Sequence, residues 1–355
     1  MSAAGKRRHG LRVFFVLSAL LIGAFAYWAY DRYTGFADVP LSGLEAGDSV
    51  VVESGDSFAK VLQRLRSHGV REGHDVEWQL LARQLDAAGK IQVGEYALDP
   101  GITPRLLLVR MRDGKVLSYR FTIVEGWNIR QLRAALAKAK PLRQTVADID
   151  DAALMARLGN PGQHPEGRFL PETYAYTRGD GELDVLGRAF DAMDKALDHA
   201  WATRAPNLPL ASKQQALVLA SIVEKETGIA EERPAIAGVF VRRLQLGMKL
   251  QTDPSVIYGM GARYAGNIRK ADLLADTPYN TYTRAGLPPT PIAMPGAAAL
   301  HAATHPASGD ALYFVAVGDG SGRHVFTRSL ADHQAAVRQY LQRYRARRKP
   351  VERAR

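Results

Sequence analysis

The chain has no cysteine. Disulfides, thiol nucleophiles and thiolate metal sites are therefore excluded, while the compartment stays open, because exported proteins often do without disulfides. A basic binding stripe is also missing, although the formal charge is +11. Lys6, Arg7, Arg8 and Arg12 supply +4 of it, and residues 343–355, with seven Lys/Arg and one Glu, supply +6. About +1 remains for everything between, so no nucleic-acid partner is expected. The C-terminal run reads as a solvated tail that touches, at most, anionic lipid or wall polymer.

Familiar catalytic signatures are missing as well. There is no Walker sequence, no HExxH and no GxSxG elbow, and the nine histidines are scattered, so neither a metal nor a cofactor is expected. Ser57-Phe58-Ala59-Lys60 has the SxxK form of penicillin-binding enzymes, but SDN and KTG partners are lacking and Ser57 suits a helix cap. Gly259-Met260-Gly261 opens a GxGxxG pattern, yet Tyr264 stands at the third glycine position and no strand precedes it.

What is present begins with Val13 to Tyr30, eighteen residues without a charge. As a helix they span about 27 Å, close to the hydrocarbon thickness of a bilayer. Four basic residues precede the run, and Tyr27, Trp28 and Tyr30 stand at its far end, so the positive-inside rule places residues 1–12 in the cytoplasm and the bulk outside. Ala24-Phe25-Ala26 has the small-x-small form of a signal-peptide cleavage site, which is the competing reading. The apolar run continues for four bulky residues, which favours an uncleaved anchor over residues 13–30.

The remaining 325 or so residues have room for two domains. Residues 31–47 read as a linker. Ser49 to Glu53 is a β-branched run, followed by helical patterns through Val61, Leu62 and Leu65 and from Asp75 to Ala88, then a strand from Ile91 to Leu98. This strand–helix–helix–strand unit, with a helix from Thr103 to Arg112, makes a small subdomain over 48–115, and its order of elements resembles LysM glycan-binding modules. Residues 116–343 form a larger α+β domain: a strand at Val116–Val124, a helix capped by Asn128, a structured loop from His164 to Tyr176, and helices at Leu183–Ala202 and Glu231–Leu246. Gln251 to Pro295 holds six prolines, Pro254 the first of them, and reads as having little regular structure. A strand at Leu312–Val317, a Gly-rich turn, a return through His324-Val325-Phe326 and a last helix to Tyr344 follow, and 344–355 is the basic tail.

Ser212 to Thr227 organises the larger domain. Ser212 and Gln215 have the form of a capping box. Leu217, Ala220 and Glu224 then share one face, so Glu224 ends an apolar stripe. A carboxyl among apolar neighbours keeps its proton to higher pH, which suits a general acid; the plainer reading is a salt-bridged Glu at a helix end. Glu226 lies about 200° further round, and Lys225 and Arg233 suggest an ion pair for it.

The segment Ser221-Ile222-Val223-Glu224-Lys225-Glu226-Thr227 leads to Arg242-Arg243-Leu244, Gly247-Met248 and Leu250-Gln251-Thr252-Asp253-Pro254-Ser255-Val256-Ile257-Tyr258-Gly259. Glu166-Gly167-Arg168-Phe169-Leu170-Pro171-Glu172-Thr173-Tyr174 stands upstream; Tyr279-Asn280-Thr281-Tyr282, Gly286-Leu287-Pro288-Pro289 and Pro291-Ile292 stand downstream. Together these resemble the endolytic murein transglycosylases, the MltG or YceG-like family. Glu172 stands where that family commonly has Asp. The resemblance implies a lyase anchored in the bacterial inner membrane, its catalytic domain periplasmic, with a LysM-like subdomain. It would cut the β-1,4 bond between N-acetylmuramic acid and N-acetylglucosamine inside peptidoglycan strands, leave 1,6-anhydro ends and limit nascent strand length. The catalytic Glu of the family falls on Glu224.

One acid suffices for such chemistry, because the 6-hydroxyl of the sugar is an internal nucleophile and no water has to be positioned. Glu224 would protonate the glycosidic oxygen and then take the proton of the 6-hydroxyl, with Glu226 as the rival acid. Glu166, Tyr174, Gln251, Asp253, Tyr258, Asn280 and Tyr282 supply hydroxyl, amide and carboxylate groups for a saccharide, and each also serves turn or core structure. A muramidase-type hydrolase and a non-catalytic wall-binding scaffold remain as alternatives. Association with peptidoglycan synthases is expected from location alone.

Overall fold

A computed structural model describes residues 3–348, with side chains over 13–346. The basic segment 1–12 and the basic tail 344–355 therefore fall in part outside the described residues. The chain divides into two compact units, one reaching to Tyr119 and including Thr177–Gly179, the other comprising Arg120–Tyr176 and the residues from Asp180 onward.

The first unit begins with α1, Ala3–Asp38. Its stretch Val13–Asp38 is long and apolar enough to cross a membrane, with a mean hydropathy of 2.0, and Phe14, Leu21 and Ile22 are exposed along it. The helix continues through residues 31–38, where the sequence suggested a linker. The physical reason is that its last turns have something to pack on. Phe36 meets Trp78 edge to face at 5.3 Å. The same ring lies on Gly73, where a Cβ would strike it at 2.1 Å. Arg32 pairs with Glu77 at 3.0 Å, and Asp38 accepts from Arg105 at 2.7 Å.

Beyond α1 come β1 (Ser49–Val52), α2 (Phe58–Ser67), α3 (Asp75–Gln84), β2 (Gly94–Ala97) and α4 (Pro104–Arg112). β1 and β2 are antiparallel, with Ser49 opposite Ala97 and Val52 opposite Gly94. Val50 and Val52 alternate inward and share a core with Leu62, Leu65, Trp78 and Leu81. Ser57 Oγ accepts from the Lys60 amide at 3.3 Å, and the Lys60 ammonium pairs with Asp56 at 2.9 Å, so the SxxK match is a helix cap and an ion pair.

The second unit holds β3 (Ser118–Thr122, entered from the first unit), α5 (Ile129–Leu136), α6 (Asp151–Arg157), β4 (Thr173–Thr177), α7 (Glu182–Ala202), α8 (Lys213–Glu226), α9 (Arg233–Gln245), α10 (Asp253–Met260), α11 (Lys270–Leu274), α12 (Ala297–Thr304), β5 (Tyr313–Ala316), β6 (His324–Thr327) and α13 (Leu330–Arg348). β3 pairs with β4, and β5 with β6 in an antiparallel hairpin, Tyr313 opposite Thr327. Asn128 caps α5 through a reciprocal pair with Gln131.

α8 is the centre of this unit. Every residue from Ala216 to Val223 is buried, among α7, α9, α10 and α12. The single apolar stripe read from the sequence is thus only part of the buried surface. Removing each of Leu217, Leu219, Ile222 and Val223 from water contributes about 1.5–3 kcal/mol. Ser221, fully buried, donates to the Val218 carbonyl at 2.7 Å and accepts from the Ile292 amide at 3.0 Å. At its start Ser212 Oγ accepts from the Gln215 amide at 3.3 Å, whereas Gln215 Oε1 reaches Ala211 rather than Ser212. The stretch Gln251–Pro295 is more ordered than its prolines suggested: Pro254 sits in the first turn of α10, where its missing amide hydrogen costs nothing.

Candidate active site

The last turn of α8 carries Glu224 and Glu226 in opposite surroundings. Glu224 has only 5% of its side chain exposed. One oxygen accepts from Arg233 at 3.2 Å and the other from the Gly296 amide at 3.0 Å. Arg233 also reaches Glu125 at 3.5 Å. A Cβ on Gly296 would lie 1.9 Å from the Glu125 carboxylate, so a larger residue there would push the Glu125 side chain aside. Burial pushes the Glu224 carboxyl above its ordinary value; the Gly296 amide opposes this, Glu125 adds to it and Arg233 opposes it again. The expected pairing of Arg233 with Glu226 is therefore corrected. α9 begins with Arg233, and its guanidinium goes to the Glu224 side of the α8 terminus.

Glu226 faces a cavity of about 630 Å³, lined also by Arg243, Gln251, Asp253, Tyr282, Tyr313 and His333. Its carboxylate accepts from Thr252 Oγ1. Burial pushes it up to about 7, Thr252 opposes that, and the negative charge of Asp253 adds to it. Near neutral pH it therefore holds a proton it can give away, with a hydroxyl as its partner rather than a cation.

The floor of the cavity is built by the segment before α10. Gln251 has φ 53°, a left-handed conformation uncommon outside glycine. It is held there by its backbone amide, which donates to the Thr281 carbonyl at 3.2 Å, by the Thr252 amide on Thr281 Oγ1 at 3.0 Å, and by Arg243 on Gln251 Oε1 at 3.3 Å. Tyr282 donates to Asp253 at 2.6 Å, and Asp253 opens α10. Arg243 also donates to the carbonyls of Lys249, Leu250 and Leu312, and its guanidinium lies 4.9 Å over the Tyr313 ring. His333 stacks on Tyr313 at 5.1 Å and 21°. Burial and the Arg243 charge lower the His333 pKa, and its Nδ1 meets no hydrogen-bonding group among the described residues.

Of the residues singled out from the sequence, Gln251, Asp253 and Tyr282 thus share the cavity with Glu226. The others lie in the frame. Glu166 is fully buried and accepts from the Ile129 amide at 3.1 and 3.2 Å, closing the start of α5. Burial pushes it up to about 7, opposed by that amide and by the Tyr258 hydroxyl. Tyr258 packs on Tyr279 at 4.8 Å and under Arg130 at 5.8 Å. Tyr174, 8% exposed, donates to the Leu170 carbonyl at 2.7 Å. Asn280, 1% exposed, donates to the carbonyls of Asp272, Leu273 and Ala275. Sequence reasoning missed Thr252, Tyr313 and His333. Thr252 stands inside the quoted LQTDPS block, and a polar residue just before a helix is the one signal it offered.

The profile described as the YceG-like family matches residues 50–339. A protein of Bacillus subtilis (strain 168) named endolytic murein transglycosylase is 29% identical over 310 residues, covering 82% of this chain and 84% of that one. A protein of the same name from Streptococcus pneumoniae serotype 2 is 32% identical over 182 residues, 50% of this chain but only 32% of the longer relative. The crystal structure of a YceG-like protein from Listeria monocytogenes superposes with a TM-score of 0.53 at 27% identity, over 81% of this chain and 98% of that one. With most of its length matched by the profile and the same fold in a related crystal structure, this chain is a member of the YceG-like family.

Proposed function

We propose that the protein is a membrane-anchored lytic transglycosylase that cuts peptidoglycan strands internally, and that Glu226 is the acid that does it. The murein transglycosylase relatives support the reaction and substrate. The observation that carries the residue assignment is the cavity of about 630 Å³ that Glu226 shares with Gln251, Asp253 and Tyr282. A glycosidic oxygen placed there receives the Glu226 proton. The 6-hydroxyl of the same muramic acid attacks C1, the C1–O4 bond breaks, and a 1,6-anhydro ring closes. The ionised Glu226 then takes the hydroxyl proton and is reset, so one carboxyl serves both steps.

Glu224, the acid indicated by the family resemblance, is the second reading, favoured by its own upward shift on burial. Against it stand Arg233 and the Gly296 amide, both of which favour the ionised form. Glu226→Gln and Glu224→Gln, incubated with purified glycan strands, separate the two. On the Glu226 reading only the first abolishes cleavage; cleavage by Glu226→Gln at the wild-type rate would overturn it. Mass spectrometry of the products distinguishes the lyase from a muramidase, since an anhydro end is lighter by one water.

α1 supports a single-pass anchor in the inner membrane, and the basic residues before it support a cytoplasmic segment 1–12 with the chain beyond the anchor in the periplasm. The β1–α2–α3–β2 order supports a LysM-like glycan-binding role for the first unit. Peptidoglycan synthases are the partners such a location offers.

A further inference from the structure

A second cavity, of about 430 Å³, lies between the β5–β6 turn and α13, lined by Gly318, Gly320, Gly322, Arg323, Tyr340 and Tyr344. It shares two elements with the Glu226 cavity. Tyr313, Phe314 and Val315 of β5 line the first, and Ala316 and Gly318, further along the same chain, line the second. On α13, His333 and Val337 line the first, and Tyr340 and Tyr344 the second. Steps of four, three and four residues place these on one face of the helix, so a single stripe runs from one cavity to the other. From His333 to Tyr344 is about 16 Å along the axis, the length of a few sugar residues.

The chemistry of the second cavity suits a saccharide. Tyr340 and Tyr344 stack on each other at 5.9 Å and 28°. Tyr344 is 43% exposed, a large aromatic left at the surface. Gly318 has φ 80° and lies so close to the Tyr340 ring that a Cβ would come within 2.9 Å of it. The turn therefore wraps the ring and leaves the tyrosine pair as one wall. Arg323 also lines the cavity and carries hydrogen-bond donors, and hydroxyl and carbonyl oxygens of a glycan are acceptors. Aromatic faces with a few placed donors are how proteins hold sugar rings.

We propose that this cavity is a distal subsite for the same glycan strand that occupies the Glu226 cavity, so that α13 and the β5–β6 hairpin form an extended groove selecting long strands over short ones. The inference rests on the Glu226 cavity being where the strand is cut. An enzyme that cuts inside a strand has sugar residues on both sides of the scissile bond, and a subsite several residues away holds the part an end-cutting enzyme would not meet.

The test uses the full-length protein in detergent with Glu226→Gln as background, so that strands are bound and left uncut. Affinity is measured for glycan oligomers of graded length, with and without Tyr344→Ala and Arg323→Ala. Affinity in the background rises with length until the distal cavity is filled. With the two further substitutions, long strands bind roughly five- to tenfold more weakly and short oligomers bind unchanged. Tyr344→Phe, which keeps the ring, restores most of the loss. Equal weakening for short and long oligomers, or no change for either, overturns the proposal. If Glu226→Gln itself cuts the strands, the catalytic reading fails instead, and the length dependence still decides the subsite.

Discussion

The two sides of the last α8 turn bury the same side chain among different partners. On one side Glu224 meets Arg233 and a backbone amide, and its charge is matched. On the other Glu226 meets a hydroxyl and the negative charge of Asp253, and its proton is retained to about pH 7. Both are glutamates two residues apart in one helix, so the peptide itself does not distinguish them. The partners do, and those come from distant parts of the chain. A carboxyl inside a domain becomes an acid or half of an ion pair according to whether a cation is brought to it.

The sharpest way to break this comparison is to exchange the two fates. Glu226→Gln removes the transferable proton, and strand cleavage falls by roughly 10²–10⁴-fold with the melting temperature kept or raised, because a buried ionisable group is lost. In the wild type, kcat declines above about pH 7 as Glu226 ionises, and a pH profile of strand cleavage shows that limb. Glu224→Gln leaves Arg233 with Glu125 alone and costs roughly 1.5–3 kcal/mol, read as a lower denaturant midpoint, with cleavage at permissive temperature within a few-fold of wild type.

Glu166 sharpens the comparison from a third position, since it too is pushed up to about 7 but sits in the frame. Its folded value lies above its ordinary one, so it contributes stability that is complete below the ordinary carboxyl range and lost as pH rises through about 7. Glu166→Gln therefore flattens the fall of unfolding free energy between about pH 5 and about pH 8, by an amount on the order of 1–3 kcal/mol, as denaturant titrations at each pH would show, without moving the pH limb of catalysis. The smallest effect belongs to Tyr282→Phe, which removes the donor to Asp253: KM for strands rises a few-fold and kcat changes less, as steady-state rates would show.

How much of this was legible in the sequence depended on how local the cause was. The start of α8 at Ser212, the cap of α5 at Asn128 and the β1–α2–α3–β2 order each have a cause within a few residues, and periodicity and capping chemistry disclosed them. α12 was missed because Ala297–Thr304 is short and alanine-rich; its place is fixed by packing on α8, far away in sequence. α10 was missed because Pro254 read as a breaker, although the first helical turn tolerates it. The E-K-E motif was visible at once, but which glutamate meets Arg233 depends on the turn between α8 and α9, and no helical wheel contains that turn. Gln251, Asp253 and Tyr282, singled out because sugar chemistry asks for such groups, line the Glu226 cavity; Tyr174 and Asn280, singled out on the same ground, serve backbone carbonyls instead.

α1 carries one more consequence. Its last turns are wedged onto Gly73 and Trp78, so the first unit is fixed to its helix without a swivel. The rod then works as a ruler and a dial together. One residue inserted between Tyr30 and Tyr33 would lift the strand–helix–helix–strand unit by about 1.5 Å and swing it about 100° around the rod. Seven inserted residues would raise it about 10 Å and bring it back close to its original bearing, separating height from heading as two independently adjustable settings.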